Sequence, residues 1–240
     1  MRIAVISDIH GNRLALEAVL EDIETHGADM TLNLGDLVSG PLEPAATADL
    51  LLECDFPTVR GNHERLLLAA EGPALVPVDR FAREDLAPRH FEWFARLPTT
   101  LAVSGDLFMC HGTPKDDNTR WLDDNWHGRE TILPDEAAVS AEAEGLDYPV
   151  LLCGHTHIAR AVRLSDGRLI VNPGSVGLQM VHGSPDARYA ILYRHGDRWS
   201  VMLCAVPYDH VGAAEQARRN GFASWVPALM TGWAGPEGLF

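Results

Sequence analysis

Apolar and polar positions follow two rhythms along this chain. In "IAVISDIHGN", residues 3–6 are apolar in an unbroken run, which reads as a strand buried on both faces, yet the run ends in Asp8 and His10, two groups costly to desolvate. "RLALEAVLEDIETHG" then places Leu16, Val19, Leu20 and Ile23 at helical spacing, with Gly27 as a C-terminal stop. "MTLNLGDL" reads as a second strand ending in Asp36, and "EPAATADLLLEC" as a helix. "PTVRGNHE" is expected to be a short strand running into Asn62 and His63, after which "RLLLAA" resumes helix. Strands alternating with helices over short connections predict right-handed crossovers and a parallel sheet.

Residues 80–97 read as two helical pieces separated by Pro88, with Phe91, Phe94 and Leu97 toward a core. From Thr99 the rhythm changes to strands. "TTLAVSGDLFMCHG" reads as a hairpin turning at Ser104 to Asp106, "PVLLCGHTH" and "RLIVNPGSV" as further strands, and "ARYAILYRHGDRWSVMLCAV" as a hairpin turning near Gly196. The second half is expected to be mostly β. Residues 115–134 are polar and aromatic without period, which suits a loop over a site. Arg120, Trp121, Trp126 and His127 there read as a solvated aromatic loop, with a base-binding pocket as the alternative. The tail from Phe222 to Phe240, rich in Trp, Gly and Pro, is expected to pack as a flap or stay partly loose. With no internal repeat and no low-complexity linker, residues 1–240 are expected to form one domain.

Composition narrows the class. Forty-six per cent hydrophobic and 22% charged residues fit a globular protein. Nineteen basic against 34 acidic residues give a formal charge of −15, which repels a phosphate backbone and disfavours a duplex nucleic-acid partner. A small anionic substrate then needs a local positive centre, such as metal ions. No apolar run approaches the roughly 20 residues of a membrane span, and no basic segment precedes an apolar core at the N-terminus, so a cytosolic protein without membrane contact is expected. Cys54, Cys110, Cys153 and Cys204 lie far apart without a CxxC pair, which argues against a thiolate zinc site and a disulfide framework.

The polar groups at strand ends form a series. "SDIH" supplies Asp8 and His10, "LGD" Asp36, "GNH" Asn62 and His63, "CHG" His111, and "GHTH" His155 and His157. Ligands of parallel sheets collect at such strand ends. Singly each piece is a turn signal; together they put a polar group after nearly every predicted strand, which a structural account explains badly because buried polar groups need partners. With His63, next to Asn62, set just outside the shell, two carboxylates, one amide and four imidazoles without thiolate suit Mn²⁺, Fe²⁺ or Fe³⁺, Zn²⁺ or Ni²⁺, and disfavour the all-oxygen preference of Ca²⁺. This many donors exceed one coordination shell once water and substrate are admitted, so two divalent metal ions are implied. Cys110 precedes His111 in a strand and is expected on the opposite face. His26, His90, His182, His195 and His210 are taken as surface or core residues.

The ordered series "SDIHGN", "GD", "GNHE", "HG" and "GHTH", with the additional "VNPGSVG", resembles the calcineurin-like metallophosphoesterases, in particular their small bacterial and archaeal members. The resemblance implies a four-layer αββα sandwich with two central mixed β-sheets flanked by helices. It implies that Asp8, His10 and His157 hold one ion, that Asn62, His111 and His155 hold the other, and that Asp36 bridges both. It also implies phosphate contacts at Asn12 and His63, with His63 protonating the leaving oxygen as general acid. A water shared by two such ions would be hydroxide at neutral pH and would serve as nucleophile. The expected activity is hydrolysis of small phosphodiesters such as nucleotides. Phosphomonoesters, phosphoproteins and dinucleoside polyphosphates are the alternative substrates, and a metal-binding protein-interaction scaffold is the non-enzymatic one. One position departs from the family: many relatives read GDxxD, whose second acid orients the histidine, whereas "GDLVS" places Ser39 there. Either His63 has another partner or it works with a lower pKa.

Overall fold

The computed structural model describes residues 1–69, 75–123, 132–233 and 239. Strand β1 (Arg2–Ile6) is buried from Ile3 to Ile6. The period of two splits it, Ile3 and Val5 joining one apolar cluster and Ala4 and Ile6 another. Helix α1 (Arg13–His26) follows, buries Ala15, Leu16, Val19 and Ile23, and stops at Gly27 in the left-handed conformation. Strand β2 (Met30–Asn33) then pairs parallel with β1.

The strand expected over "PTVRGNHE" shrinks to a single parallel bridge between Asn33 and Thr58. The chain instead turns into helix α3 (Asn62–Leu68), whose first turn carries Asn62 and His63. Glu64 explains the early start, because its carboxylate reaches back to accept from the Gly61 N–H at 3.0 Å and caps the helix. Helices α2 (Pro44–Cys54), α4 (Pro77–Asp85) and α5 (Pro88–Arg96) each begin with proline in the first turn, and the break at Pro88 falls where the sequence predicts it.

The second half builds the rest of both sheets. Strands β3 (Thr100–Val103) and β4 (Leu107–Cys110) form the first hairpin, β5 (Val150–Leu152) lies parallel to β4, and β6 (Arg160–Arg163) with β7 (Leu169–Asn172) forms another hairpin. Strands β8 (Ala187–His195) and β9 (Arg198–Val206) form the long hairpin, and β8 returns antiparallel to β1. One sheet thus runs β2-β1-β8-β9 and the other β3-β4-β5-β7-β6; both are mixed. Ile3, Val5 and Leu192 of the first meet Met109, Leu152 and Val171 of the second in the central apolar layer.

Helices cover both outer faces. Leu16, Leu51, Leu67 and Phe94, from α1, α2, α3 and α5, pack on the first sheet. On the second, Val139 and Ala143 of and beside helix α6 (Glu136–Glu142) pack with Leu151 and Ile170. The fold is therefore the four-layer αββα sandwich. Strand β6 and helices α6, α7 (His210–Arg219) and α8 (Val226–Thr231) are additions to the sequence reading. In the tail, α7, a 3-10 turn at Ala223–Trp225 and α8 form a further apolar cluster around fully buried Trp225. Trp121 is buried too and donates its indole N–H to the Val139 carbonyl at 2.9 Å, so it belongs to the outer apolar layer and not to a solvated loop or a base pocket. Trp126 and His127 lie outside the described residues. Among the described residues no helix is long and apolar enough to cross a membrane.

Candidate metal centre

Four strands end at one edge of the two sheets, and their loops converge. β1 leads to Asp8 and His10, β2 to Asp36, β4 to His111, and β5 to His155 and His157, while α3 contributes Asn62 and His63. The backbone turns sharply at these residues. Asp8 (φ 56°), His10 (50°), Asp36 (53°), His155 (68°) and His157 (60°) adopt the left-handed conformation and make up five of the seven non-glycine residues with positive φ among the described residues. Each costs about 1 kcal/mol or more, so the surrounding bonds must hold them there. Asp8 N–H donates to the Gly35 carbonyl at 2.9 Å, His10 N–H to the Asp36 carbonyl at 3.1 Å, and His155 N–H to the Asp8 carboxylate at 3.2 Å.

The ligating atoms form two groups. Those of Asp8, His10 and His157 lie within 4.8 Å of one another, as do those of Asp36, His111 and His155. Asn62 joins the second group, its Oδ1 3.0 Å from His111 Nε2 and 3.1 Å from His155 Nδ1. Asp36 lies 3.0 Å from His111 Nε2, and Asp8 lies 4.0 Å from the same nitrogen, so the groups abut.

Backbone carbonyls decide which nitrogens face inward. The Nδ1 of His10, His111 and His157 lies 2.7, 2.7 and 2.5 Å from the carbonyls of Ser39, Leu34 and Leu178. A carbonyl only accepts, so each Nδ1 carries the proton and each neutral ring turns a lone pair inward at Nε2. His10 Nε2 and His157 Nε2 then stand 3.0 Å apart as two acceptors. Acceptor against acceptor is repulsive unless a cation lies between them. The donor set fits divalent metal ions.

Electrostatics agree. Burial, then the His157 imidazole, push the His10 pKa down to about 3, and burial, then His111, push His155 down to about 4, so both rings stay neutral. Burial raises the Asp8 and Asp36 carboxyls, but the neighbouring imidazoles, His157 and His111 foremost, more than offset it and hold both below the usual range. Burial opposes a charge on His111, yet Asp36 and Asp8 raise its pKa to about 10. The two carboxylates thus favour a positive charge at His111.

Residues missed in the sequence brace the centre. Glu64, fully buried, accepts from the N–H groups of Asp36 (3.0 Å), Leu37 (2.8 Å) and Gly61 (3.0 Å), clamping the Asp36 loop to α3. Gly61 has no room for a side chain, since a Cβ would overlap the Asp36 carboxylate. The "NPGSVG" loop latches onto the end of β1: Ser175 Oγ donates to the Asp8 carbonyl at 2.6 Å, and Asn172 donates to the Gly154 carbonyl at 2.7 Å. Asp123 accepts from Thr156, between the two "GHTH" histidines, at 2.8 Å.

His63 borders the centre without joining either group. Its ring stands edge-on to that of His10, centroids 5.4 Å apart, and its backbone N–H donates to Asp36 Oδ1 at 3.1 Å. Its Nδ1 lies 2.7 Å from Oδ1 of Asp79, a fully buried residue of α4. Burial lowers the pKa of His63, but Asp36 and Asp79 together raise it to about 9. Of the two alternatives posed by Ser39, the structure gives His63 another partner. Ser39 itself offers its carbonyl to His10, and its hydroxyl is buried without a partner among the described residues. Asn12, expected at the phosphate, is turned inward: its Oδ1 caps α1 through the Ala15 N–H and its Nδ2 donates to the Gly177 carbonyl and the Tyr208 hydroxyl. Both amide hydrogens have protein acceptors, and the side chain caps α1. Cys110 packs in the outer apolar layer, on the face away from the centre.

Known proteins are similar to this chain in sequence and fold. An uncharacterised protein of Methanocaldococcus jannaschii is 26% identical over 252 residues, covering 93% of this chain and 95% of that one. The crystal structure of a metallophosphoesterase from Sphaerobacter thermophilus superposes with a TM-score of 0.76 at 27% identity, over 97% of this chain and 99% of that one. A hypothetical protein from Pyrococcus horikoshii shares the fold at 19% identity, with a TM-score of 0.79 over 98% and 99% of the two chains. The family model for the calcineurin-like phosphoesterase superfamily domain matches residues 1–196, which carry every member of the two ligand groups. The chain belongs to the calcineurin-like phosphoesterase superfamily.

Proposed function

We propose that the protein is a metal-dependent phosphoesterase that binds two divalent cations and hydrolyses small phosphodiesters, nucleotide diesters foremost. The observation that carries this reading is the pair of abutting ligand groups, with Nε2 of His10 facing Nε2 of His157 at 3.0 Å and Asn62 Oδ1 beside His111. Asp8, His10 and His157 would hold one ion, Asn62, His111 and His155 the other, and Asp36, beside both groups, would bridge them. When bound, such a pair supplies Lewis-acid polarisation of the phosphate and a nucleophile from water at neutral pH.

The chain's own residues supply the rest. The left-handed turns and their carbonyl anchors hold the ligands in place before substrate arrives. His63 borders the centre with Nδ1 committed to Asp79, so the proton it would give is the one on Nε2. A histidine anchored in this way can present a proton at Nε2, as a general acid toward a departing alkoxide or phenoxide requires. Small substrates are favoured because the formal charge of −15 opposes a long polyanion outside the centre. The superfamily match and the Sphaerobacter metallophosphoesterase support the class of reaction.

The test is hydrolysis of bis-p-nitrophenyl phosphate against p-nitrophenyl phosphate by protein stripped with chelator and reloaded with Mn²⁺, Fe²⁺, Zn²⁺ or Ni²⁺, with bound metal counted by elemental analysis. Metal-restored hydrolysis of the diester in excess of the monoester, at two ions per chain, is expected. Protein that holds two ions and cleaves neither ester with any of these metals overturns the reading and leaves the scaffold alternative.

A further inference from the structure

Among the buried ionisable groups, Asp79 stands apart. It belongs to none of the expected motifs, it lies in the first turn of α4 sixteen residues beyond His63, and it is fully buried. An acid so placed in a helix ordinarily faces the helix N-terminus or solvent. This one turns inward, and among the described residues its ion pair is with His63 at 2.7 Å. The arginines of the same helix are engaged elsewhere: Arg83 donates to the Leu67 carbonyl, and Arg80 to that of Leu75 at 3.4 Å.

Its second oxygen makes the case. Asp79 Oδ2 is buried with no hydrogen-bond partner among the described residues. Burying a carboxylate is costly, and a pair kept only for stability gains little over apolar side chains unless every lone pair is satisfied. Helix α4 nevertheless holds the acid rigidly, with Val78 and Ala82 buried on either side of it in sequence. Half-satisfied buried groups of this kind persist where they serve a neighbour.

We propose that Asp79 is the positioning residue of His63, fixing the proton on Nδ1 and aiming Nε2–H at the leaving oxygen of the substrate. The acid therefore comes from a helix outside the metal-binding loops and replaces one that Ser39 cannot provide. This rests on the phosphodiesterase reading, in which His63 protonates the leaving group. In that step the bond from phosphorus to the leaving oxygen breaks, its electron pair stays on that oxygen, and the Nε2 proton passes to it. The Nδ1 proton stays on His63 throughout.

Asp79→Asn keeps the shape and removes the charge, and is to be compared with wild type in the native and His63→Ala backgrounds on methyl aryl phosphodiesters spanning good to poor leaving groups. In the native background kcat should fall by about a hundredfold for the poorest leaving group and progressively less as the phenol improves, with KM and metal content unchanged. In the His63→Ala background the same substitution should cost nothing further. An equal loss across the series, or an undiminished loss without His63, overturns the proposal. Should Asp79→Asn lower the melting temperature, Asp79→Ser is held to the same pattern. Nitrogen NMR of the imidazoles in Zn²⁺-loaded protein gives a readout independent of turnover: a protonated, hydrogen-bonded Nδ1 of His63 in wild type, lost in Asp79→Asn. A wild type that cleaves none of the esters sinks the phosphodiesterase reading, while unaltered His63 resonances in Asp79→Asn sink the pairing.

Discussion

The two ends of the same strands turn by different means. At the edge away from the ligands, the β3–β4 and β8–β9 hairpins close through Gly105 (φ 72°), with exposed Ser104 (φ 57°) before it, and Gly196 (φ 61°), where a Cβ added at either glycine would meet nothing within 4 Å. At the ligand edge, beside Gly11 and Gly35, the same region of backbone space is occupied by Asp8, His10, Asp36, His155 and His157, four of them buried. Glycine adopts this conformation freely, whereas a residue with a side chain does not. One edge is built for easy turning, and the other accepts a standing cost in order to aim side chains at one point. The difference separates residues that shape the fold from residues that serve the site.

The sharpest break in that comparison is Asp36→Asn, which retains the turn and removes the charge between the groups. Losing a charge that clamps the metal pair costs several kcal/mol, so kcat should fall by about a thousandfold, with fewer than two ions retained by elemental analysis. Unchanged turnover with two ions would mean that the charge of Asp36 is dispensable. Next is Glu64→Ala, which strands three buried N–H groups at 1–3 kcal/mol each before relaxation; urea denaturation should show stability reduced by about 3 kcal/mol or more. A drop within experimental error would show that the clamp is redundant.

A smaller effect follows from His111. Its pKa in the folded, metal-free chain is raised to about 10 from 6.5, so its proton stabilises that state fully below pH 6.5, and the contribution is lost as pH rises through about 10. A cation must displace this proton. Metal affinity should therefore increase by about tenfold per pH unit for that group between neutrality and the folded pKa. Titration calorimetry in buffers of different ionisation enthalpy detects the released proton at mildly alkaline pH, and its absence would refute the protonated centre. The smallest effect belongs to the far edge: Gly196→Ala should cost about 1 kcal/mol in the thermal melt and leave turnover at the wild-type value.

Much of the ligand edge was legible because each ligand lies within a few residues of an apolar run, so a strand and its chemistry are read together in "SDIH", "LGD" and "GHTH". Asp79 carried no such mark. It lies in "PVDRFARED", a charged, amphipathic stretch in which an inward-facing acid looks like any surface acid until the helix is docked. Helices α6 and α7 were invisible for another reason. Their buried residues are Val139 in one and three alanines in the other, too little apolar volume to raise a helical period above background. Trp225 was conspicuous in composition, but its burial depends on α7 and Leu239, contacts that no local pattern encodes. Asn12 is ambiguous in the opposite sense, since a polar residue inside a ligand motif is also a good helix cap.

The pairing of β1 with β8 has a consequence for the order of events during synthesis. Val5 sits opposite Ala190, so the strand that delivers Asp8 stays an open edge until most of the chain has been made. At ordinary elongation rates that interval is roughly ten to forty seconds. The ligand motifs all leave the ribosome within it, and the centre they form cannot be framed until the long hairpin arrives to close the sheet.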